Sequence, residues 1–326
     1  MAWTLSEMSK IETDILRKSI VDTLIMETKV LELLPLETIG QLSTGIIKVQ
    51  DLPSVGFRRI NAGYAESTGT FEHEVEQIAL LGGYIDTDKA IARAKNTVAD
   101  ARSVQQMLMM KAMAYKFNDV FMNGDPAQIP TEEPKGHEFK GLRLRVEDLV
   151  SKGYTGQRIA HEEDVDDEAK RYAFVDKLDE LIYSVAGHQP DALLMSKKTL
   201  LGVRSILRRL KLLDTTQDMF DRRVDVYQGA RMYDMGVKAD QSTQVILDTE
   251  HATDAKADGA DRSSIYAVKF GVGDMLWGIQ EYPIEVEDLG LMKEKPVYRT
   301  MVDFPVGLAQ VDPRCMARLW GFKLTF

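Results

Sequence analysis

The chain has a single cysteine, Cys315, so no intrachain disulfide can staple it. A zinc site would have to rest on carboxylates and the five histidines alone. Long apolar runs are also missing: no stretch reaches the roughly 18 residues that a membrane-spanning helix requires. The N-terminal MAWTLSEMSKIETDILRKS mixes acidic and basic residues and lacks the apolar stretch and small-residue cleavage site of a secretion signal. A reducing, cytosolic place of synthesis is therefore expected. Positive charge is in deficit too, with 41 Lys and Arg against 51 Asp and Glu, a net charge of −10. Proteins that grip nucleic acid neutralise phosphates with a basic surface, so tight direct DNA binding is disfavoured. Basic clusters do occur, at Arg204, Arg208, Arg209 and Lys211 and at Arg222 and Arg223. Acidic residues lie near each, and both clusters are read as solvated or subunit-contacting faces.

Catalytic signatures are equally scarce. There is no P-loop, no GxGxxG after a strand, no GxSxG and no HExxH. HEEDVDD, beginning at His161, holds potential metal ligands, but nothing in the sequence positions them and a hydrated loop is expected. DAKADGAD, from Asp254 to Asp261, fails the EF-hand pattern twice, with Lys256 and Ile265 where oxygen ligands belong. His73 lies among glutamates without a nucleophile beside it. No catalytic, cofactor-binding or metal-ligating residue is assigned.

What remains is structural. Hydrophobic residues make up 44% of the 326 residues and charged ones 28%, enough for a folded protein of about two domains. Ile11, Ile15, Ile20, Leu24 and Val30 recur at loose helical spacing and stop at Leu34-Pro35, which reads as an arm. Strand-like runs follow at 44–60 and 71–85, joined by the small-residue stretch NAGYAESTGT, and this predicts a long hairpin. On the second run Glu72, Glu74 and Glu76 alternate with Phe71, His73, Val75 and Gln77. Three carboxylates on one strand face need opposing cations. Arg58 and Arg59 on the other run are the expected partners, within the chain or from a neighbour.

After Gly82-Gly83, Thr87 and Asp88 supply helix-capping chemistry. No Pro or Gly interrupts the chain from there to about Met122. The stripe Ile91, Ala94, Val98, Ala101, Leu108, Ala112 and Tyr115 predicts one helix of about 50 Å. The methionines Met107, Met109, Met110 and Met113 along it fit core or subunit packing. Asn123-Gly124 and the following prolines end it. Beyond the acidic segment at 161–170, Phe174, Leu178, Leu181, Ile182 and Val185 mark an amphipathic helix. Asp191 to Met195 reads as a buried strand, and Ser196 caps a further helix carrying Leu200, Val203 and Leu207. The remainder is β-rich, with alternation at Ile284 and Val286, from Tyr298 to Leu308, and from Trp320 to Phe326.

This order of parts resembles the major capsid proteins of tailed bacteriophages, which share the Hong Kong-97-type shell fold. The stretches that carry the resemblance are FNDVFMNGDP at 117–126, FKGLRL at 139–144, DALLMSKKTLLGVRSILRRL at 191–210, IYAVKFGVGDMLWGIQ at 265–280 and VYRTMVDFPVGLAQVDPRCMARL at 297–319. Each is weak alone; their order and spacing carry the specificity.

The resemblance implies an α+β fold with an N-terminal arm at 1–45 and an extended hairpin loop at 46–86. It further implies a peripheral domain with a spine helix at 87–164 and 291–326, and an axial domain at 165–290. It implies a non-catalytic subunit that assembles with itself, as hexamers and pentamers, into an icosahedral virion capsid enclosing double-stranded DNA, assembled in the bacterial host cytoplasm. A separate scaffolding protein, a portal protein and a decoration protein are the partners it suggests; no membrane is involved. Arg58, Arg59, Phe71, Glu72, Glu74 and Glu76 are the expected inter-subunit contacts of the hairpin. Some relatives crosslink through a hairpin lysine, but no lysine lies between Lys48 and Lys89, so a non-covalent shell is expected. Two other readings stand beside this one: an encapsulin-like nanocompartment shell, which has the same fold, and a soluble two-domain enzyme with a concealed site.

Overall fold

The computed structural model describes residues 3–4, 24, 27–92, 101–127, 138–161, 163–217, 222–250 and 262–324. The arm residues Ile11, Ile15 and Ile20, the helix positions Ala94 and Val98, and the acidic loop from Asp254 to Asp261 lie outside the described residues. Leu24, Val30, Leu31 and Leu34 are buried in the main core, so the end of the arm is anchored there. They lead through the short helix α1 (Lys29–Leu33) to strand β2 (Pro35–Thr38), which β1 (Trp3–Thr4) flanks.

The expected hairpin forms, with strands β3 (Ser43–Asp51) and β4 (Thr70–Gln77) antiparallel. Both runs are shorter than their composition predicts. Pro53 removes a donor just after β3, and the 52–69 tip folds as an exposed loop turning at Asn61, which has φ +66°. At Ile78 the second run leaves the hairpin. Its remainder, β5 (Ala79–Asp88), pairs along β15 (Val297–Gln310) instead.

Asp88 caps the next helix by accepting from the Ala90 amide at 2.7 Å. Helix α2 (Lys89–Ala92) starts there, and α3 (Ala101–Asn123) is the spine. The buried face of α3 differs from the expected stripe. Met110, Met113, Ala114, Phe117 and Phe121 point into the core, whereas Ile91, Leu108 and Ala112 are exposed. Both faces of this helix are apolar, and the one with the larger side chains wins the interior because it removes more area from water.

The spine ends on two glycines. The Gly124 amide donates to Val120 O at 2.8 Å, and the Gly141 amide donates to Gly124 O at 2.8 Å. A Cβ on Gly141 would stand 2.6 Å from the Gly124 nitrogen and 2.8 Å from Met122 O. The stretches FMNGDP and FKGLRL are therefore two backbones pressed together, and helix α4 (Leu142–Ser151) begins directly from that contact.

Two sheets carry the rest. In the first, β15 holds β5 on one edge, with β14 (Glu285–Leu291) and β13 (Leu276–Gln280) on the other; β13 continues to β2 and β1. The second runs β6 (Arg158–Ala160), β16 (Met316–Leu324), β12 (Ser263–Val268), β8 (Ala192–Met195), β11 (Ala230–Asp234), β10 (Arg223–Tyr227), β9 (Asp214–Gln217). The two-residue β7 (Asp164–Val165) also pairs with β16. Sheet membership thus crosses the boundaries expected at 165 and 290. β13 and β14 join the first sheet, and the C-terminal β16 joins the second. β15 and β16 follow one another in the chain yet lie in different sheets, so pairing partner rather than position in the chain decides where each belongs.

The second sheet is covered on both faces. Ala192 and Leu194 of β8 join the core shared with α3 and α4. Leu193 and Met195 enter a separate core with helices α5 (Glu168–Ser184) and α6 (Lys197–Arg209). Two-sided burial explains why ALLM is apolar without alternation. Ser196 caps α6 as expected, its hydroxyl accepting from the Thr199 amide at 3.2 Å.

Gly141→Ala should destabilise by about 1–3 kcal/mol, because the methyl group meets backbone that cannot yield. Denaturant unfolding checks this, with Gly156→Ala, at a position where a Cβ meets open space, as the tolerated control.

Candidate assembly site at the hairpin base

The pleat of β3 and β4 sorts the hairpin into two chemically different faces. Register pairs Thr44 with Glu76, Ile46 with Glu74 and Lys48 with Glu72, so these side chains share one face. That face turns inward, over α4 and the Lys140 and Lys152 backbone that flanks it. The other face, with Ile47, Phe71, His73 and Val75, turns outward. Phe71 is 69% exposed, Ile47 64% and Val75 53%. The alternation was legible in the sequence, but the charged side is the inner one. Four cations surrounding the carboxylates make that burial tolerable.

Glu76 is the innermost. Arg145 of α4 grips it with two hydrogen bonds, Nη1 to Oε1 at 2.6 Å and Nη2 to Oε2 at 2.9 Å. The same guanidinium donates to Leu308 O at 3.0 Å and, through Nε, to Lys140 O at 3.0 Å. Its side chain is 1% exposed and that of Glu76 8%. One buried bidentate pair therefore joins β4, α4, β15 and the segment before α4. Glu74 accepts from Lys48 at 2.5 Å, with Lys140 at 3.9 Å and Lys152 at 4.0 Å. Glu72 takes both of its contacts from Lys152 at 2.9 Å. Burial pulls the Glu74 pKa upward, but the hydrogen bond and charge of Lys48, with Lys140 and Lys152 behind it, outweigh burial and hold the carboxyl below its ordinary range. The Lys152 ammonium is held above its ordinary range, chiefly by its bond to Glu72.

Arg58 and Arg59 are not among these partners. Both sit in the exposed tip, where Arg58 donates to Ala62 O at 3.2 Å and lies over the Tyr64 ring at 5.3 Å. The glutamates are satisfied within the chain by Lys48, Lys140, Arg145 and Lys152, so within the chain Glu72 and Glu74 do not pair with Arg58 and Arg59. Lys48 stands directly across from Glu72 and could have been read from a hairpin register. Arg145 could not, because 69 residues separate it from Glu76. Phe71 does stand free on the outer face. It continues into an exposed apolar tip containing Leu52, Val55, Phe57 and Ile60.

Other candidates found in the sequence are structural. His161 is buried against Phe174, ring centroids 5.7 Å apart, and burial lowers its pKa. His73 covers Gly45 on the outer face, where a Cβ at Gly45 would come 2.4 Å from its Nε2. Among the described residues no three His, Cys, Asp or Glu side chains converge to hold a metal. Among them, too, no helix is long and apolar enough to cross a membrane. A cleft of about 300 Å³ lies at the end of the spine, lined by Asp119, Asn123, Glu138, Arg143, Lys238 and Glu250. Some of its charges are paired within the chain, as in Lys238–Asp119 at 3.0 Å.

A hairpin with an exposed apolar outer face is thus fastened to α4, the helix that follows the spine, and two sheets share one core. Solved structures similar to this chain have that fold. The encapsulin of the holo-SrpI complex from Synechococcus elongatus PCC 7942 aligns with a TM-score of 0.59 at 13% identity, covering 90% of this chain and 87% of that chain. A structure from Mycobacterium phage Bobi gives 0.57 at 12%, covering 92% and 91%, and the capsid of an empty GTA particle gives 0.54 at 14%, covering 88% and 87%. The family model of Major capsid protein GP7 matches residues 13–170, which take in the hairpin, the spine and α4. A search of curated protein sequences finds no match. The chain has the Hong Kong-97-type capsid fold, and over residues 13–170 it is similar to Major capsid protein GP7.

Arg145→Ala strands a buried carboxylate and should cost about 3–5 kcal/mol, whereas replacing Arg145 and Glu76 together by apolar residues should cost far less. Denaturant unfolding, with hydrogen exchange at 43–51 and 70–77, reports both; an Arg145→Ala variant as stable as the parent would refute the assignment. The pH dependence has a definite sign. Glu74 has a folded-state pKa below its unfolded value, so its contribution is present above about pH 4.3 and is lost as pH falls through the lower, folded value. Exchange protection of the hairpin should fall in that acid window before the α5 and α6 core opens.

Proposed function

We propose that this subunit forms a non-covalent icosahedral shell around a double-stranded DNA genome, with its hairpin laid across a neighbouring subunit. The observation that carries this is the outer face of the hairpin, where Ile47, Phe71 and Val75 stand exposed beside an apolar tip. A two-stranded ribbon has too little core to be stable alone. The salt bridges anchor its inner face, and a second copy covers the outer one. The first sheet and spine act as the peripheral domain. The second sheet, with α5 and α6, supplies the axial domain around the capsomer axes. Interfaces of this obligate kind bury roughly 2,000 Å² or more, and several weak contacts per subunit make a shell durable through multivalency. Assembly takes place in the host cytoplasm with a separate scaffolding protein and a portal, and a decoration protein reinforces the lattice. The subunit catalyses nothing. Its net charge of −10 suits a wall that contains DNA without gripping it.

An encapsulin-like nanocompartment is the alternative, favoured by the similarity in fold to the holo-SrpI encapsulin. The match to the phage capsid family weighs against it. Co-expression with the scaffolding protein of the same genome, followed by electron microscopy and denaturing electrophoresis, distinguishes the readings. Shells that depend on the scaffold and dissociate to 36.7 kDa monomers are expected. Small uniform shells formed unaided around a cargo protein would favour the nanocompartment. Ladders above monomer mass would overturn the non-covalent lattice.

A further inference from the structure

The axial helices carry opposite charge. Between Lys197 and Lys211 the chain has six cations and no carboxylate, and all six are exposed. Leu201, 53% exposed, sits in the middle of this surface, three residues after Lys198 and three before Arg204. Among the described residues Arg204 meets Asp225 at 3.1 Å, while Lys198, Arg208 and Arg209 meet no carboxylate. Between Glu163 and Glu180 the balance is reversed, with eight carboxylates against three cations. Two of those cations are already engaged, Lys170 with Asp166 and Lys177 with Glu180, each at 2.7 Å. Tyr172, 52% exposed, lies four residues from both Glu168 and Asp176 on one helix face. Each helix thus offers an exposed apolar residue on a face with an excess of charge, of opposite sign on the two. An apolar centre with a polar rim is the anatomy of a protein interface.

The helices rest on different strands of the second sheet, α5 on β16 and α6 on β11, with β12 and β8 between them. We propose that the acidic face of α5 in one copy docks against the basic face of α6 in the next, with Tyr172 against Leu201 at its centre. The inference rests on the shell-forming reading and deepens it by naming the contact that closes a capsomer. Joining two different faces of one chain head to tail generates a ring when the rotation closes. A polyanion such as DNA would satisfy α6 but leave the carboxylates of α5, on the same side of the sheet, facing its phosphates. A second copy satisfies both.

The test uses the full chain with two charge reversals, Lys198→Glu with Arg208→Glu, and Glu168→Lys with Asp176→Lys. Native mass spectrometry and electron microscopy at low salt follow assembly, and thermal unfolding controls for folding. Each variant alone should lose rings by at least about tenfold. Mixed in equal amounts they should form six-membered rings of alternating copies. Five-membered rings should stay absent, because an odd ring must place one like-charged pair together. The milder Glu168→Gln with Asp176→Asn should show a partial loss. Unchanged assembly by either reversed variant, or no rescue on mixing, overturns the proposal. Normal shells from Lys198→Glu with Arg208→Glu that carry less nucleic acid would overturn it in favour of a DNA-facing helix. A parent chain that forms no rings under any condition would instead refute the shell-forming reading.

Discussion

The Arg145–Glu76 pair is the point on which the molecule turns. Its bidentate geometry at 2.6 and 2.9 Å fixes the direction in which the hairpin leaves the body, and its bonds to Leu308 O and Lys140 O tie that direction to β15 and α4. Burying two charges is costly unless every lone pair and proton is satisfied, and here the guanidinium is matched on three sides. Such a pair adds little net stability over an apolar substitute. What it provides is a single orientation for a ribbon that would otherwise swing freely.

That orientation decides which face of the ribbon is available. With Glu72, Glu74 and Glu76 drawn inward by lysines and an arginine, Phe71, Val75 and Ile47 have no place but the outside. A protein acting alone would reverse this pattern, burying the apolar face and solvating the charged one. The inversion makes physical sense only in a subunit whose outer surface becomes interior on assembly. The spine helix repeats the theme, with methionines and phenylalanines buried on one side and Val104, Met107 and Leu108 exposed on the other.

The second sheet and its helices follow a different logic. They have a core of their own, with α5 and α6 covering β8, β11, β12 and β16, and edge-to-face ring contacts of His161 with Phe174 and Phe174 with Phe322 inside it. Their outward surfaces are charged rather than apolar. Electrostatic contacts set register and partner choice more than raw affinity, which suits copies that must meet in rings of five and of six. In the proposed shell, apolar contacts through the hairpin and charge-guided contacts between α5 and α6 divide strength from geometry.

Local periodicity was enough to determine much of this from the residues alone. The hairpin, the capped helices at Asp88 and Ser196, the two-sided strand at 192–195 and the alternation along β15 all depend on side chains a few positions apart. The order of these elements carried the resemblance to the capsid fold. Tertiary structure decided the rest, because the deciding partners are remote in the chain. Arg145 reaches Glu76 across 69 residues, and β5 leaves the hairpin to pair with β15 more than 200 residues away. Likewise, of two apolar faces on the spine, the buried one is chosen by the sheets that meet it. A strand pattern shows that two faces differ; only the packed neighbours determine which of them faces inward.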